Sequence, residues 1–180
     1  MTNMNSSTAK NYHSGSDKDT LRKALGTFAT GITVVTTRAP DGNPVGLTAN
    51  SFTSVSLDPP LLLICPALTA ATTKVLLEAT HFAVNVLTDE QADLSHLFAT
   101  KGTNRFAETR CETWHHDVPI IRGALANFEC ERYSVTEAGD HAILLGKVKH
   151  TRFAKQGEPL LYFRSEYRNL KEPKRKKGQL

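Results

Sequence analysis

The sequence contains few of the features that define the commonest special classes of protein. It has three cysteines in 180 residues, an odd number without CxxC spacing, which disfavours a disulfide framework and a cysteine-based zinc site. We expect Cys65, Cys111 and Cys130 to be reduced thiols, mostly in the core. No apolar run approaches the roughly 18 residues of a membrane span, and the N-terminus lacks the order of a secretory signal. These absences predict a cytoplasmic protein without membrane contact.

An excess of one charge is also absent from most of the chain. The formal net charge is +4, but residues 171–180 contain five basic side chains and one acidic side chain and so carry all of it. Such a polar, basic end is typical of a solvated, disordered tail, and no aromatic residues are interleaved with the charges as nucleic-acid binding would favour. Residues 1–16 are rich in Ser, Asn and Thr and predict a second disordered segment. One domain over residues 17–170 is expected, because no internal linker divides it.

Strand patterns outnumber helix patterns. Residues 32–37 are mostly β-branched and lead into a turn at residues 40–43, whose Pro and Gly favour a hairpin. No GxGxxG motif follows a strand, so a Rossmann site is not expected. Strands joined by hairpin-type connections favour an antiparallel barrel over a doubly wound sheet. The further predicted strands are residues 45–51, 61–65, 82–87, 125–135, 143–153 and 160–163.

Three short helices are predicted between or before the strands. Asp17 or Asp19 can cap the first helix. The second begins near Thr72, and the third begins at Thr88, which stands in capping-box spacing with Gln91. Their apolar residues recur at helical spacing, on one side of each helix. These residues are Leu21, Ala24, Leu25 and Phe28 in the first helix, Val75, Leu76 and Ala79 in the second, and Leu94, Leu97 and Phe98 in the third.

Hydroxyl, amide and small side chains run through residues 45–60, a predicted core strand and its exit. Burying such polar groups costs free energy unless they find hydrogen-bond partners, so a polar ligand would explain them. A strand at a sheet edge, with a Thr- and Ser-rich face toward solvent, explains the same spacing. The residues alone leave both interpretations open.

Several motifs in a fixed order resemble the short-chain flavin reductase family, whose members are reductase components of two-component flavin-dependent monooxygenases. The resemblance covers residues 21–170 and implies the FMN-binding split barrel, a mainly β, antiparallel split β-barrel with a few short flanking helices. It also implies an NAD(P)H:flavin oxidoreductase that takes FMN or FAD and NADH or NADPH. Asn104 is a departure, because the family more often has aspartate there. The matching motifs are residues 28–36 (FATGITVVT), 45–60, 82–87 (FAVNVL), 104–107 (NRFA), 139–141 (GDH) and 160–164 (LLYFR).

The resemblance also implies which residues bind the flavin. A strand would run along the isoalloxazine ring, and a helix start would hold the phosphate through its N–H groups. Ala70 and Ala71 stand where the family commonly has hydroxyl side chains, which leaves the choice between FMN and FAD open. The implied flavin-binding residues are Thr48, Ala49, Asn50 and Ser51 along the ring, Ser54 and Ser56 nearby, Thr69, Thr72 and Thr73 at the phosphate, and Asn85 in the motif of residues 82–87.

His141 follows a Gly-Asp turn at the start of a predicted strand. A lone histidine there is commonly a structural hydrogen-bonding residue, whereas the resemblance implies that it binds the nicotinamide. No catalytic acid or base is predicted, because nicotinamide C4 and flavin N5 react directly once stacked. No metal site is predicted at His115, His116 and Asp117, since adjacent side chains diverge and no further ligand stands at regular spacing.

The implied reaction requires partners. By resemblance, the protein is a homodimer with the flavin near the subunit boundary, and reduced flavin diffuses to a separate oxygenase. One alternative is a flavoprotein electron carrier that keeps its flavin tightly bound. Another is a non-enzymatic split-barrel protein for a different ligand. Neither nucleic acid nor a membrane is an expected partner.

Overall fold

A computed structural model describes residues 12–102 and 104–170 of the protein. Disorder was predicted for residues 1–16 and 171–180; residues 1–11 and 171–180 fall outside the described part, and residues 12–16 are exposed and belong to no helix or strand. The described residues form three helices, one 3₁₀ turn (Asp89–Gln91) and twelve strands. The helices are α1 (Lys18–Leu25), α2 (Ala71–Glu78) and α3 (Ala92–Ala99). The strands are β1 (Thr30–Gly31), β2 (Thr33–Arg38), β3 (Pro44–Ala49), β4 (Thr53–Leu57), β5 (Pro60–Ile64), β6 (His81–Val86), β7 (Cys111–Thr113), β8 (Pro119–Ile121), β9 (Ala126–Ala138), β10 (His141–Phe153), β11 (Leu161–Phe163) and β12 (Glu166–Arg168).

Seven strands form one antiparallel sheet in the order β3-β2-β6-β9-β10-β5-β4. A three-stranded sheet, β1-β11-β12, and a two-stranded sheet, β7-β8, complete the β structure of the described residues. The predicted antiparallel split β-barrel is thereby confirmed. Several consecutive strands pair through tight connections, such as the β2–β3 turn, where Gly42 has a φ of 83° that a side chain would disfavour.

The core lies on both faces of β2. Thr33 to Thr37 are all buried, which explains why this strand is a continuous β-branched run rather than an alternating one. Val35 belongs to a cluster with Phe82 on β6 and Leu76 on α2. Val34, on the opposite face, packs in a second cluster under α3. Both α2 and α3 are therefore fixed to the sheet beside β3.

The helix predictions are confirmed in position but not in every detail. Asp17 caps α1 by accepting a hydrogen bond from the Thr20 backbone N–H, and Thr88 and Gln91 form the predicted capping box. The apolar side chains of α1 do not face the core. The helix ends at Leu25, and Leu21, Leu25 and Phe28 are 43%, 66% and 78% exposed. A helical period identifies an apolar face but not the surface against which it packs.

All seven predicted strands are present, with no end shifted by more than three residues. Strands β1, β4, β7, β8 and β12 were not predicted. Strand β4 is largely exposed, so the alternation of Val55 and Leu57 with serines marks no buried face, and the other four are only two or three residues long. Such strands have too few positions for a pattern to be recognised.

The three cysteines are free thiols, as expected. Cys130 is buried, whereas Cys65 and Cys111 are only partly buried. Each helix formed by residues 12–102 and 104–170 falls short of the length and apolarity that crossing a membrane would take.

Candidate functional site

A cavity of about 450 Å³ lies where β3 ends, bounded by α2, α3 and the start of β10. Its volume is within the range of small-molecule sites. Seven of the predicted ligand-binding residues line it together, although they come from three separate parts of the chain. The lining residues are Leu47, Thr48, Ala49, Asn50 and Ser51, then Cys65, Pro66 and Ala67, then Ala70, Thr72 and Thr73, then Phe98, Ala99, Lys101 and Arg105, and finally His141.

The hydroxyl groups along β3 hold the strand to its neighbours. Thr48 Oγ1 donates to the backbone carbonyl of Ser95 on α3 at 2.6 Å. Ser51 Oγ accepts from the backbone N–H of Cys65 at 2.9 Å, which joins the strand exit to the end of β5. These side chains therefore position the wall of the cavity, and the backbone between them is the surface that a ligand would meet.

Gly46 allows α3 to lie directly on β3. A Cβ atom at this position would come within 2.7 Å of Phe98 Cε1 and 2.9 Å of the Val35 carbonyl oxygen. Both distances are shorter than carbon contacts allow. Because Phe98 lines the cavity, the absence of a side chain at residue 46 determines how close this wall stands to the strand.

The start of α2 has polar groups that protein side chains leave without partners. Ala70, its N-cap residue, makes no side-chain capping hydrogen bond. Thr73 Oγ1 is buried and has no hydrogen-bond partner among the described residues. Helix N-termini attract anions because their first N–H groups point outward and the helix dipole is positive there. A phosphate group fits this position, and Thr72 and Thr73 are the hydroxyl residues beside it.

Arg105 and Lys101 add positive charge to the same end of the cavity, and the sequence analysis did not select either residue. Arg105 Nη1 donates to the carbonyl of Gly46 at 2.7 Å and to Thr72 Oγ1 at 3.2 Å, so the guanidinium joins β3 to α2. Lys101 is exposed at the rim. The motif of residues 104–107 was the available signal, because it contains Arg105.

His141 stands across the cavity from α2, at the first residue of β10. Its side chain is 46% exposed, and Nδ1 lies 2.6 Å from Asp140 Oδ1. This hydrogen bond, together with the charge of the imidazole, lowers the pKa of Asp140. The backbone on either side is fixed, since the Leu68 N–H donates to the Asp140 carbonyl and the Ala142 N–H donates to the Pro66 carbonyl. His141 thus has a fixed backbone and a partly exposed ring.

Asn85 lies away from the cavity. Its side chain is fully buried, and its amide nitrogen donates to the carbonyl of Val34 at 2.9 Å and to Thr36 Oγ1 at 3.2 Å. Its amide oxygen accepts from the Ile121 N–H at 3.0 Å and from Asn127 Nδ2 at 2.8 Å. Protein groups therefore occupy both ends of the amide, which ties β6 to β2, β8 and β9.

Three further predicted flavin-binding residues do not line the cavity. Ser54 and Ser56 lie on β4 opposite Leu62 and Leu61 of β5, with a bulge between them. Thr69 is exposed in the loop before α2. A second hollow, of about 570 Å³, lies beside α1 and the turn at Arg164 and contains none of the predicted residues. Volume alone would favour that hollow, but the predicted ligand-binding residues converge on the smaller cavity.

An antiparallel split barrel with a ligand-sized cavity at the exit of an edge strand defines the structural class of this protein. Residues 25–171 match the family described as "Flavin reductase like domain". The chain belongs to this family.

Relatives give the same assignment. The chain is 48% identical over 148 residues to the "Flavin-dependent trigonelline monooxygenase, reductase component" of Acinetobacter baylyi, covering 82% of this chain and 47% of the relative. It is 45% identical to "FMN reductase (NADH) SmoA" of Agrobacterium fabrum, covering 82% and 83%. The solved structure of "NADH:FAD oxidoreductase SgcE6" of Streptomyces globisporus matches with a TM-score of 0.85 and 36% identity, covering 91% of this chain and 98% of that chain. The chain spans about half the length of several curated relatives.

Proposed function

We propose that the protein transfers hydride from NADH or NADPH to FMN or FAD and releases the reduced flavin to a separate monooxygenase. The observation that carries this proposal is the convergence, on one cavity, of the β3 exit, the uncapped start of α2 with its basic neighbours, and His141. The names of the relatives support it, since they include a monooxygenase reductase component, an NADH-dependent FMN reductase and an NADH:FAD oxidoreductase.

In this proposal each part of the cavity has one task. The backbone of residues 48–51 provides hydrogen-bond partners along the flavin ring, and the small side chain of Ala49 permits close approach. The start of α2, Thr72, Thr73, Lys101 and Arg105 hold the phosphate. The hydride passes between nicotinamide C4 and flavin N5, so the contribution of the protein is to align the two rings and stabilise developing negative charge with N–H groups.

His141 is assigned to the nicotinamide. Its Nδ1 is engaged by Asp140, which orients the ring and leaves Nε2 to contact a ligand in the cavity. Asn85 is assigned to the fold, because its amide is already hydrogen-bonded at both ends.

The cellular setting belongs to the same proposal. Three free thiols suit a reducing cytoplasm. A homodimer would place the cavity near a second subunit, and reduced flavin would reach the oxygenase by diffusion.

Steady-state oxidation of NADH and of NADPH, with FMN, FAD and riboflavin in turn, tests the reaction. Lys101→Ala tests the phosphate site, because riboflavin lacks the phosphate. We expect this change to raise the KM for FMN about tenfold and to leave riboflavin unaffected, with the exposed Lys155→Ala as control. Absence of flavin-dependent NAD(P)H oxidation would exclude the proposed reaction. A flavin that stays bound through gel filtration would favour an electron carrier.

A further inference from the structure

Outside the cavity, four histidines surround one buried carboxylate. Glu129, on β9, has a fully buried side chain. His150 lies directly opposite it on β10, and His116 approaches it from the loop before β8. The rings of His81 and His115 stack on those of His116 and His150, each pair with centroids 4.0 Å apart. The proposed flavin reduction uses none of these five residues.

Three atoms of this cluster face one another. Glu129 Oε2 lies 2.7 Å from His150 Nδ1 and 3.1 Å from His116 Nδ1, and all three atoms are within 4.8 Å of one another. Glu129 Oε1 is separately held by the backbone N–H of His116 at 3.0 Å. The carboxylate is thus fixed by the backbone on one side and presents its other oxygen to two imidazoles.

One of these imidazoles has an unmatched nitrogen. His116 Nδ1 is buried and has no hydrogen-bond partner among the described residues, although Glu129 Oε2 is only 3.1 Å away. Leaving a buried polar atom unpaired costs about 1–3 kcal/mol. A buried carboxylate also requires a compensating positive charge or several hydrogen bonds. Glu129 already has the His116 N–H and His150 Nδ1 as partners. A cation between these atoms would in addition give His116 Nδ1 a partner and place a positive charge beside the carboxylate.

The donor set suits zinc. Imidazole nitrogen and carboxylate oxygen bind Zn²⁺ at about 2.0–2.2 Å, and tetrahedral ligands at such distances are about 3.3–3.5 Å apart. The observed separations of 2.7 and 3.1 Å would need to open by less than about 1 Å, a range that side-chain rotation permits. The stacked rings of His81 and His115 would limit other movements of the two ligands.

We propose that His116 Nδ1, Glu129 Oε2 and His150 Nδ1 bind a zinc-class divalent cation that joins the loop before β8 to β9 and β10. The sequence analysis expected no metal here because adjacent side chains diverge. They do diverge, since His115 stacks on His150 while His116 faces Glu129. The missing ligands come instead from strands 13 and 34 residues further along the chain.

The test uses untagged full-length protein treated with EDTA and then titrated with Zn²⁺, and separately with Co²⁺. We expect one zinc per chain to survive gel filtration, the Tm to rise, and Co²⁺ to give visible d–d absorption. His150→Gln and Glu129→Gln should each weaken zinc binding at least tenfold. His13→Gln, a change at an exposed histidine, is the matched control and should bind as the unmodified protein does.

Zinc retention, the Tm and Co²⁺ absorption are all measured without flavin or NADH. Their outcome therefore does not depend on whether the protein reduces flavin. Since Glu129 is buried, Glu129→Gln can fail to fold, and His150→Gln, at a partly exposed residue, then decides. Flavin reduction should be unchanged in His150→Gln. The proposal is overturned if the unmodified protein shows neither zinc retention nor a Tm shift in tenfold excess zinc. It is equally overturned if His150→Gln binds zinc undiminished.

Discussion

At the scale of single residues, the side chain of His141 differs from a structural histidine because its hydrogen-bond partner is exposed to solvent. The only side chain hydrogen-bonded to it within residues 12–102 and 104–170 is the exposed Asp140, so little folding free energy should depend on its ring. We predict that His141→Ala raises the KM for NADH about tenfold while the Tm and the Kd for flavin stay nearly constant. Kinetics with each substrate varied, alongside a melting curve, provides the measurement.

Asp140→Asn is the companion variant for that prediction. It keeps a hydrogen-bond acceptor for the imidazole and removes the charge, so it should have a smaller effect than loss of the ring. A parallel loss of stability and of both ligands in His141→Ala would identify a structural histidine instead.

The three thiols differ in reactivity for physical reasons. Burial and the charge of Glu129 raise the pKa of Cys130 to about 12, whereas Cys65 and Cys111 have pKa values raised mainly by partial burial. The thiolate is the reactive form. At pH 8 we therefore predict that iodoacetamide modifies Cys65 and Cys111 and leaves Cys130 intact, as measured by peptide mass spectrometry.

Flavin should change only one of these rates. Cys65 lines the cavity and Cys111 lies on β7, so FMN should slow modification of Cys65 and leave Cys111 as an internal reference. An unchanged rate at Cys65 in saturating FMN would place the flavin elsewhere.

At the scale of secondary-structure elements, the contact between α3 and β3 depends on Gly46. A methyl group there meets both Phe98 and the backbone of β2, and the backbone cannot yield as a side chain can. We predict that Gly46→Ala lowers the free energy of unfolding by about 1–3 kcal/mol and weakens flavin binding by displacing Phe98. Urea unfolding and flavin titration measure the two effects.

Gly31→Ala is the matched control, because a Cβ atom at that strand position meets nothing within 4 Å. If the two alanine variants unfold at the same urea concentration, the close packing of α3 on β3 is not a determinant of stability.

The elements also show what the sequence could predict. Strands β2, β6, β9 and β10 were recognisable because β-branched and apolar residues mark them, and the capping box marked the 3₁₀ turn. Strand β4 was missed although Val55 and Leu57 alternate with serines, because residues 45–60 were interpreted as one strand and its exit. The cavity was predictable in part. The resemblance supplied residues 48–51 and His141, but only the three-dimensional packing brings Arg105 to Thr72 and separates Asn85 from the cavity.

At the scale of the whole molecule, several large apolar side chains remain exposed on the described surface. Leu57 is 95% exposed, Phe28 78% and Phe153 74%. The expectation of a dimer comes from the family resemblance and from the absence of net charge over residues 1–170, which opposes no self-association. We predict a homodimer, which light scattering should report as about twice the chain mass of 19.8 kDa. A monomer with full flavin reductase activity would contradict the prediction.

The two edge strands of the seven-stranded sheet, β3 and β4, are consecutive in the sequence and are joined by residues 50–52. We call the gap between these two edges, where the sheet does not close, the seam. The inter-strand hydrogen-bond ladder stops at that seam, within the part of the chain that the structure describes. Main-chain groups beside it are available to a heterocycle that presents donors and acceptors along one side. Because main-chain groups would make the contacts with the proposed flavin, we expect side-chain replacements at residues 50–52 to weaken ring binding less than changes that displace the strand itself.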